Sequence, residues 1–159
     1  MISNYVIGIS DDRGPLPSVE NRAVAFLDIL GFRNLSTKFL DDLNQCHALD
    51  LQMRHVEKIL AGDVGIGTGL HAQLFSDAII ISTEAKPDSL IRLVFTLEAL
   101  QCKLISVGIF IRGGLAIGRH FQTPRTMVSE GLIAAYELES QVSRFPRILV
   151  QAKEALSWR

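Results

Sequence analysis

Two aspartates, Asp28 and Asp77, each interrupt an apolar stretch, and that placement is what could do chemistry in this chain. Asp28 follows the run Ala23–Leu27 in AVAFLDILGF, after which apolar residues resume until Gly31. A carboxylate delivered by a buried strand loses its hydration and needs a strong partner. Either a divalent cation supplies that partner, or the acid accepts backbone hydrogen bonds from the following turn. Asp77 repeats the arrangement in QLFSDAIIIST, between Leu74–Phe75 and the run Ala78–Ile81. Together the two acids could hold one or two divalent ions through oxygen, the ligation that Mg²⁺ and Mn²⁺ prefer.

The elements that must position these acids follow from the apolar spacing. Residues 1–22 read as a leader, with at most a short edge strand at Tyr5–Ile9 before the turn signals around Gly14 and Pro15. A doubly buried strand follows at Arg22–Asp28. From Asn34, apolar residues at intervals of three and four (Leu35, Phe39, Leu43, Cys46, Leu49, Met53, Val56, Leu60) predict a helix. Asn34 or Ser36 would cap it, a break is allowed near His47–Asp50, and Ala61–Gly62–Asp63 ends it. The glycines of VGIGTGL lack a phosphate loop's Lys-Ser/Thr ending and read as a connection. Gln73–Thr83 is a hairpin with Ser76–Asp77 at its tip. A second helix starts at Pro87–Asp88–Ser89 and buries Leu90, Leu93, Val94, Leu97, Leu100 and Leu104.

Val107–Gly118 then reads as a strand whose Gly113–Gly114 pair marks a close approach. Arg119–Ser129 is an exposed loop or ragged hairpin, Gly131–Val142 a third helix, and Arg147–Gln151 a short strand before a terminal helical turn. The order β-α-β-β-α-β-α-β predicts an α+β, ferredoxin-like core with an appended helix and strand. Its sheet should be mostly antiparallel, with helices packed on one face, in a single domain over residues 23–159.

With 159 residues, 48% hydrophobic and 21% charged, the chain has the composition of an ordinary globular domain. A net charge of −1 gives no footprint for nucleic acid or an anionic membrane. No apolar run approaches the roughly 20 residues of a membrane span, and MISNYVIGISDDRG lacks a signal peptide's features. A cytoplasmic location is expected, with Cys46 and Cys102 as buried free thiols on helical apolar faces. His47, His55, His71 and His120 share no metal spacing and read as structural or exposed.

Phe26-Leu27-Asp28-Ile29-Leu30-Gly31-Phe32 resembles the first-strand pattern F-x-D-I-x-G-F of the class III nucleotidyl cyclases, and Ser76–Asp77 stands where that family carries its second metal acid. Ile111–Gly118 is similar to the family's fourth strand, and Gly131–Glu139 to its G-x-x-V-N-x-A-x-R-L-E helix. The resemblance implies a catalytic domain that cyclises a nucleoside triphosphate with two Mn²⁺ or Mg²⁺ ions. They would be held by Asp28, Asp77 and the carbonyl of Ile29. It also implies a homodimer with sites at the interface, Phe26 lining the base pocket, and phosphates near Gly31 and Phe32 at a helix start. Read from its place in a core strand, Phe26 is a packing residue. Arg112 is the best candidate to steady the transition-state phosphate, with Arg119 and Arg125 as alternates; the other reading of Arg112 is an ion pair. Mutual rescue between a metal-acid variant and an Arg112 variant is expected if partner subunits supply them.

The chain departs from the purine-specific members. Gln73 replaces a base-reading lysine, Val128 falls near a second base-reading acid, and Ile133 and Glu137 replace the helix asparagine and arginine. With F-L-D-I-L-G-F, F-S-D, R-G-G and A-Y-E-L-E, the sequence is similar to the bacterial Pycsar cyclases. These make cyclic UMP or cyclic CMP on phage infection, and the product acts on a separate effector. Competing expectations are an inactive nucleotide-binding module and a purine cyclase. A diguanylate cyclase lacks support because LFSDA does not supply a G-G-[DE]-E-F hairpin, and an RNA-binding sheet lacks stacking aromatics.

Overall fold

The computed structural model describes residues 18–32, 40, 42–63, 69–123 and 126–151. The expected edge strand at Tyr5–Ile9, the caps Asn34 and Ser36, most of VGIGTGL and the terminal helical turn lie outside these residues. The central strand is β1 (Glu20–Ile29), longer at its start than the apolar run suggests. It is followed by α1 (Leu43–Asp63), the hairpin β2 (His71–Phe75) and β3 (Ala78–Glu84), and α2 (Pro87–Ser106). Then come β4 (Ile111–Gln122), β5 (Met127–Ser129), α3 (Glu130–Glu137) and β6 (Ile148–Val150). The sheet order is β2-β3-β1-β4-β5, with β6 pairing β4; that last pair is parallel and the others antiparallel.

β1 is buried on both faces because each face has its own cover. Ala23, Ala25, Leu27 and Ile29 point into the main core with Val56 of α1 and Leu93, Leu97, Leu100 and Leu104 of α2. Those four leucines recur at intervals of four, three and four, which is one stripe of a helix. Pro87 begins α2 where a missing N–H costs nothing, while Asp88 and Lys103 suit the two ends of the helix dipole. The alternate residues of β1, including Val24, Phe26 and Asp28, face the other way, where the appended helix α3 packs over β4 and β1.

Three glycines allow α3 to lie that close. A Cβ on Gly114 would strike the carbonyl oxygen of Ala135, and one on Gly118 would sit 2.5 Å from the amide nitrogen of Gly131. Ser129 caps α3 by accepting from the Leu132 amide at 3.1 Å. The expected single helix Gly131–Val142 widens after Glu137 into a π turn, Leu138–Val142, closed by Ser143 N–H donating to the Leu138 carbonyl at 3.0 Å. Single π turns of this kind occur often at functional sites.

Several expected faces are corrected. Val94 is about half exposed, and Leu43 is 78% exposed although α1 runs unbroken through His47–Asp50. Cys102 is exposed and Cys46 half-buried, so neither free thiol is a core residue. Val94 lies beside the leucine stripe of α2, and Cys102, two residues from both Leu100 and Leu104, lies on the opposite side of that helix. Arg119–Ser129 resolves in favour of a hairpin, since β4 continues to Gln122 and pairs with β5.

Gly114→Ala is expected to lower stability by about 1–3 kcal/mol, because the new methyl meets backbone rather than a movable side chain. A urea titration measures this, and an unchanged midpoint would show that α3 can slide away without loss.

Candidate active site

Asp28 is the last charged residue of β1 and stands between Ala78 of β3 and Arg112 of β4 in the strand register. The hairpin tip is stitched beside it, since Ile29 N–H donates to the Asp77 carbonyl at 3.0 Å. Leu30 N–H donates to the Phe110 carbonyl at 2.8 Å, so the end of β1 is held from both sides. Ser76 has φ of +56°, a conformation uncommon for a residue with a Cβ, and Gly31 turns the chain at φ of +84°. Together these turns bring the two acids the sequence singles out to one end of one sheet face.

Arg112 sits on the same face as Asp28. Its Nε donates to Asp28 Oδ2 at 3.3 Å and lies 2.5 Å from Glu139 Oε1, while Nη1 donates to the Ser143 carbonyl at 3.2 Å. Glu139 is 3% exposed, and its Oε1 lacks an aligned donor despite that close ion pair. The π turn brings Glu139 down onto the sheet. Glu139 is the site residue that sequence reasoning missed. It was visible only as the final acid of A-Y-E-L-E, and its signal was an acid one step from the apolar stripe of a short helix.

Burial raises the carboxyl of Asp28 above its ordinary value; Arg112 pulls it down and Asp77 pushes it up. Burial likewise raises Glu139, opposed by Arg112 and reinforced by Asp28 and Asp77. Two carboxylates thus share one guanidinium with Asp77 close enough to repel both, and the excess negative charge fits a cation. Among the described residues, no group of three or more His, Cys, Asp or Glu could by itself hold a metal ion. An ion held by Asp28 and Asp77 would need further ligands from elsewhere, as Mg²⁺ does when it binds through one or two carboxylates and substrate phosphates.

Arg112 and Asp28 touch within one chain, with Nε 3.3 Å from Oδ2, as the ion-pair reading of Arg112 expects. Phe26 is half-buried and meets Tyr136 edge to face at 5.3 Å, a packing contact. Gln73 is exposed on β2, and by register it shares Asp28's face of the sheet. Val128, Ile133 and Glu137 are exposed. Phe32 packs against the main core, and the helix start expected beyond it for phosphate lies outside the described residues. On the site's face α3 leaves the β2 side open, where Phe75 is 79% exposed.

This sheet order, with a helix on the second face and acids at a strand end and hairpin tip, is the fold of class III nucleotide cyclase domains. A guanylyl cyclase domain of the RhoGC fusion protein from Blastocladiella emersonii, solved as a non-canonical dimer, is similar with a TM-score of 0.64. It is 20% identical, over 85% of this chain and 81% of that one. The guanylate cyclase domain of RhGC from Catenaria anguillulae, solved with GTP, gives a TM-score of 0.56 at 21% identity, covering 77% and 73%. The adenylyl cyclase CyaB from P. aeruginosa gives 0.53 at 17%, covering 86% and 79%. No family model and no curated protein matches the sequence. Among the described residues, no helix is long and apolar enough to cross a membrane.

Because the folded protein holds the Asp28 and Glu139 protons more tightly than the unfolded chain, their contribution to stability is complete below the ordinary carboxylate range. It is lost as pH rises through their raised folded values. Glu139→Gln removes one share of that loss. In EDTA, its melting temperature is expected to gain on the wild type's as pH climbs from acid to neutral. A constant difference across that range would show that Glu139 titrates normally.

Proposed function

We propose that this chain is a nucleotide cyclase that converts a pyrimidine nucleoside triphosphate to the 3′,5′-cyclic nucleotide and pyrophosphate. The observation that carries it is Asp28 beside Asp77 at the open end of a cyclase-fold sheet, close enough for one charge to raise the other's pKa. In the reaction the 3′-hydroxyl loses its proton and its oxygen bonds to the α-phosphorus. The bond from that phosphorus to the β-phosphate oxygen breaks. Asp28, Asp77 and the Ile29 carbonyl would hold Mn²⁺ or Mg²⁺, two ions per site. When bound, such ions lower the hydroxyl's pKa and neutralise the leaving group. Arg112 fixes the Asp28 carboxylate's direction from β4 and is itself held by Glu139 and the Ser143 carbonyl, so a cation that takes over Asp28 would release one of its partners and leave the guanidinium positioned beside the phosphates.

The pyrimidine reading rests on Gln73, whose amide offers one donor group and one acceptor where purine cyclases use lysine, and on the apolar Val128. A purine would leave groups unpaired on desolvation at about 1–3 kcal/mol each, or roughly 10²–10⁴ in specificity for two. We further propose a homodimer, and a cytoplasmic role in which the cyclic product acts on a separate effector during phage infection, on the likeness of the motifs to Pycsar cyclases. One observation favours a second reading, a nucleotide-binding module without turnover: Arg112 already engages Asp28 within the chain.

Incubation with all four NTPs at equal concentration and Mn²⁺ decides between them. Cyclic UMP or cyclic CMP is the expected main product; cyclic AMP or cyclic GMP overturns the pyrimidine reading, and no product favours the binding module. Asp28→Asn and Asp77→Asn are each expected to lose activity by roughly two orders of magnitude or more while staying folded. Their metal-free melting temperatures should hold or rise, because each removes a charge from a repelling cluster. Near wild-type turnover in either variant would remove that acid from the metal site.

A further inference from the structure

Glu139 is buried, and its Oε1 receives no hydrogen bond. A carboxylate oxygen left in that state is costly, and folded proteins seldom keep one without a reason. Its ion-pair partner is Arg112, whose Nε lies 2.5 Å from that oxygen. Nε carries one hydrogen, and it is aimed at Asp28 Oδ2, 3.3 Å away. Two carboxylates therefore compete for one N–H, and the closer of them goes without.

The support behind Arg112 is built independently of Asp28. Its Nη1 donates to the carbonyl of Ser143, the residue that closes the π turn carrying Glu139. Ser143 is 2% exposed, and its hydroxyl is 3.3 and 3.2 Å from the Phe145 and Arg147 carbonyl oxygens. Gly113 N–H donates to the same Arg147 carbonyl at 2.9 Å, which ties the end of the turn to β4 beside Arg112. A Cβ on Gly114 would come within 2.8 Å of the Leu138 Cβ, so glycine there lets the turn sit on the strand. Arg112 thus reaches from a fixed cradle across to β1, and its contact with β1 is the longer of its two ion pairs.

Resting on the metal reading of Asp28, we propose that Glu139 is the receiver for Arg112. As a divalent cation takes up the Asp28 carboxylate, Arg112 Nε–H passes from Asp28 Oδ2 to Glu139 Oε1, with the Nη1 bond to Ser143 as the pivot. Glu139 is then a positioning residue that acts through Arg112 and sets how readily Asp28 gives up its internal partner. The exchange keeps the guanidinium paired throughout and fills an empty buried acceptor, so no charge is stranded when Asp28 changes hands. Without Glu139, Asp28 is the one carboxylate left to Arg112 among the described residues, and the guanidinium competes with the cation for it.

Mn²⁺ alone is the probe, its binding read at neutral pH from the loss of the free-ion EPR signal, with no substrate and no turnover. Glu139→Gln keeps the shape and removes the charge, whereas Glu139→Asp keeps the charge but withdraws it from Arg112 by one methylene. Both variants are expected to bind Mn²⁺ about ten- to a hundredfold more weakly than the wild type. An Asp variant that binds like the wild type beside a weakened Gln variant shows that only the charge matters, and overturns the proposal. Wild-type affinity in both variants overturns it as well. Absence of Mn²⁺ binding in the wild type is a different failure, which removes the metal reading of Asp28 and this proposal with it. The wild type also supplies a test that depends on no variant at position 139. Its Arg112 Nε–H NMR resonance, assigned by its loss in Arg112→Lys, should shift as Mg²⁺ is added and stay protected from exchange with water. A resonance that does not move, or that loses protection at saturating Mg²⁺, overturns the hand-off.

Discussion

A carboxylate at the end of a strand covered on both faces must be compensated from outside that strand, and the architecture around Asp28 follows from this constraint. β3 brings Asp77 and the backbone bonds that hold the hairpin tip to Ile29. β4 brings Arg112, and the widened turn after α3 brings Glu139. One guanidinium among three acids leaves the cluster under-neutralised. Burial and mutual repulsion accordingly raise two of the acids, a state that a cation would relieve. The strand that carries Asp28 is also the one that anchors the main core, so the site is built on a rigid element.

The second face of the sheet shows how packing was sacrificed for a surface. Close approach of α3 to β4 requires Gly114 and Gly118, and that approach seats Glu139 on Arg112. The helix covers β1 and β4 but leaves the β2 side bare, where Phe75 lies exposed in the same register row as Asp28. A face with charged clusters at both ends and uncovered apolar surface between them is suited to a flat, elongated ligand or a second copy. The polar groups at the two ends differ in kind. Around Asp28 they are hard oxygens in excess, and around Arg22 they are donors lacking acceptors.

Much of the framework was legible in the sequence because it is set by local periodicity. The apolar runs of β1 and β3, the two-residue tip at Ser76–Asp77 and the leucine stripe of α2 each mark an element and its burial, whatever lies opposite. The two acids could be picked out for the same reason: a charge inside an apolar run is conspicuous in one dimension. Apolar residue type could mislead where the interval is not respected, so Val94 and Cys102 were placed inward although one lies beside the α2 stripe and the other opposite it, and the structure leaves both exposed.

Contacts between distant parts of the chain were decided only by the tertiary structure. Arg112 and Asp28 are 84 residues apart, and only the β1–β4 register makes them a pair within one chain. Glu139 enters the site through a π turn, a departure from the helical interval that no periodic pattern announces. Arg22 looked like the polar start of a strand, yet strand pairing with β4 buries it beside His120 and strips two of its donors of partners. Sequence by itself determined the elements and their apolar faces, because those depend on intervals of two to four residues. Which charges meet, and which are left unmet, depends on register and on helix placement across the sheet, and these exist only once the chain has closed on itself.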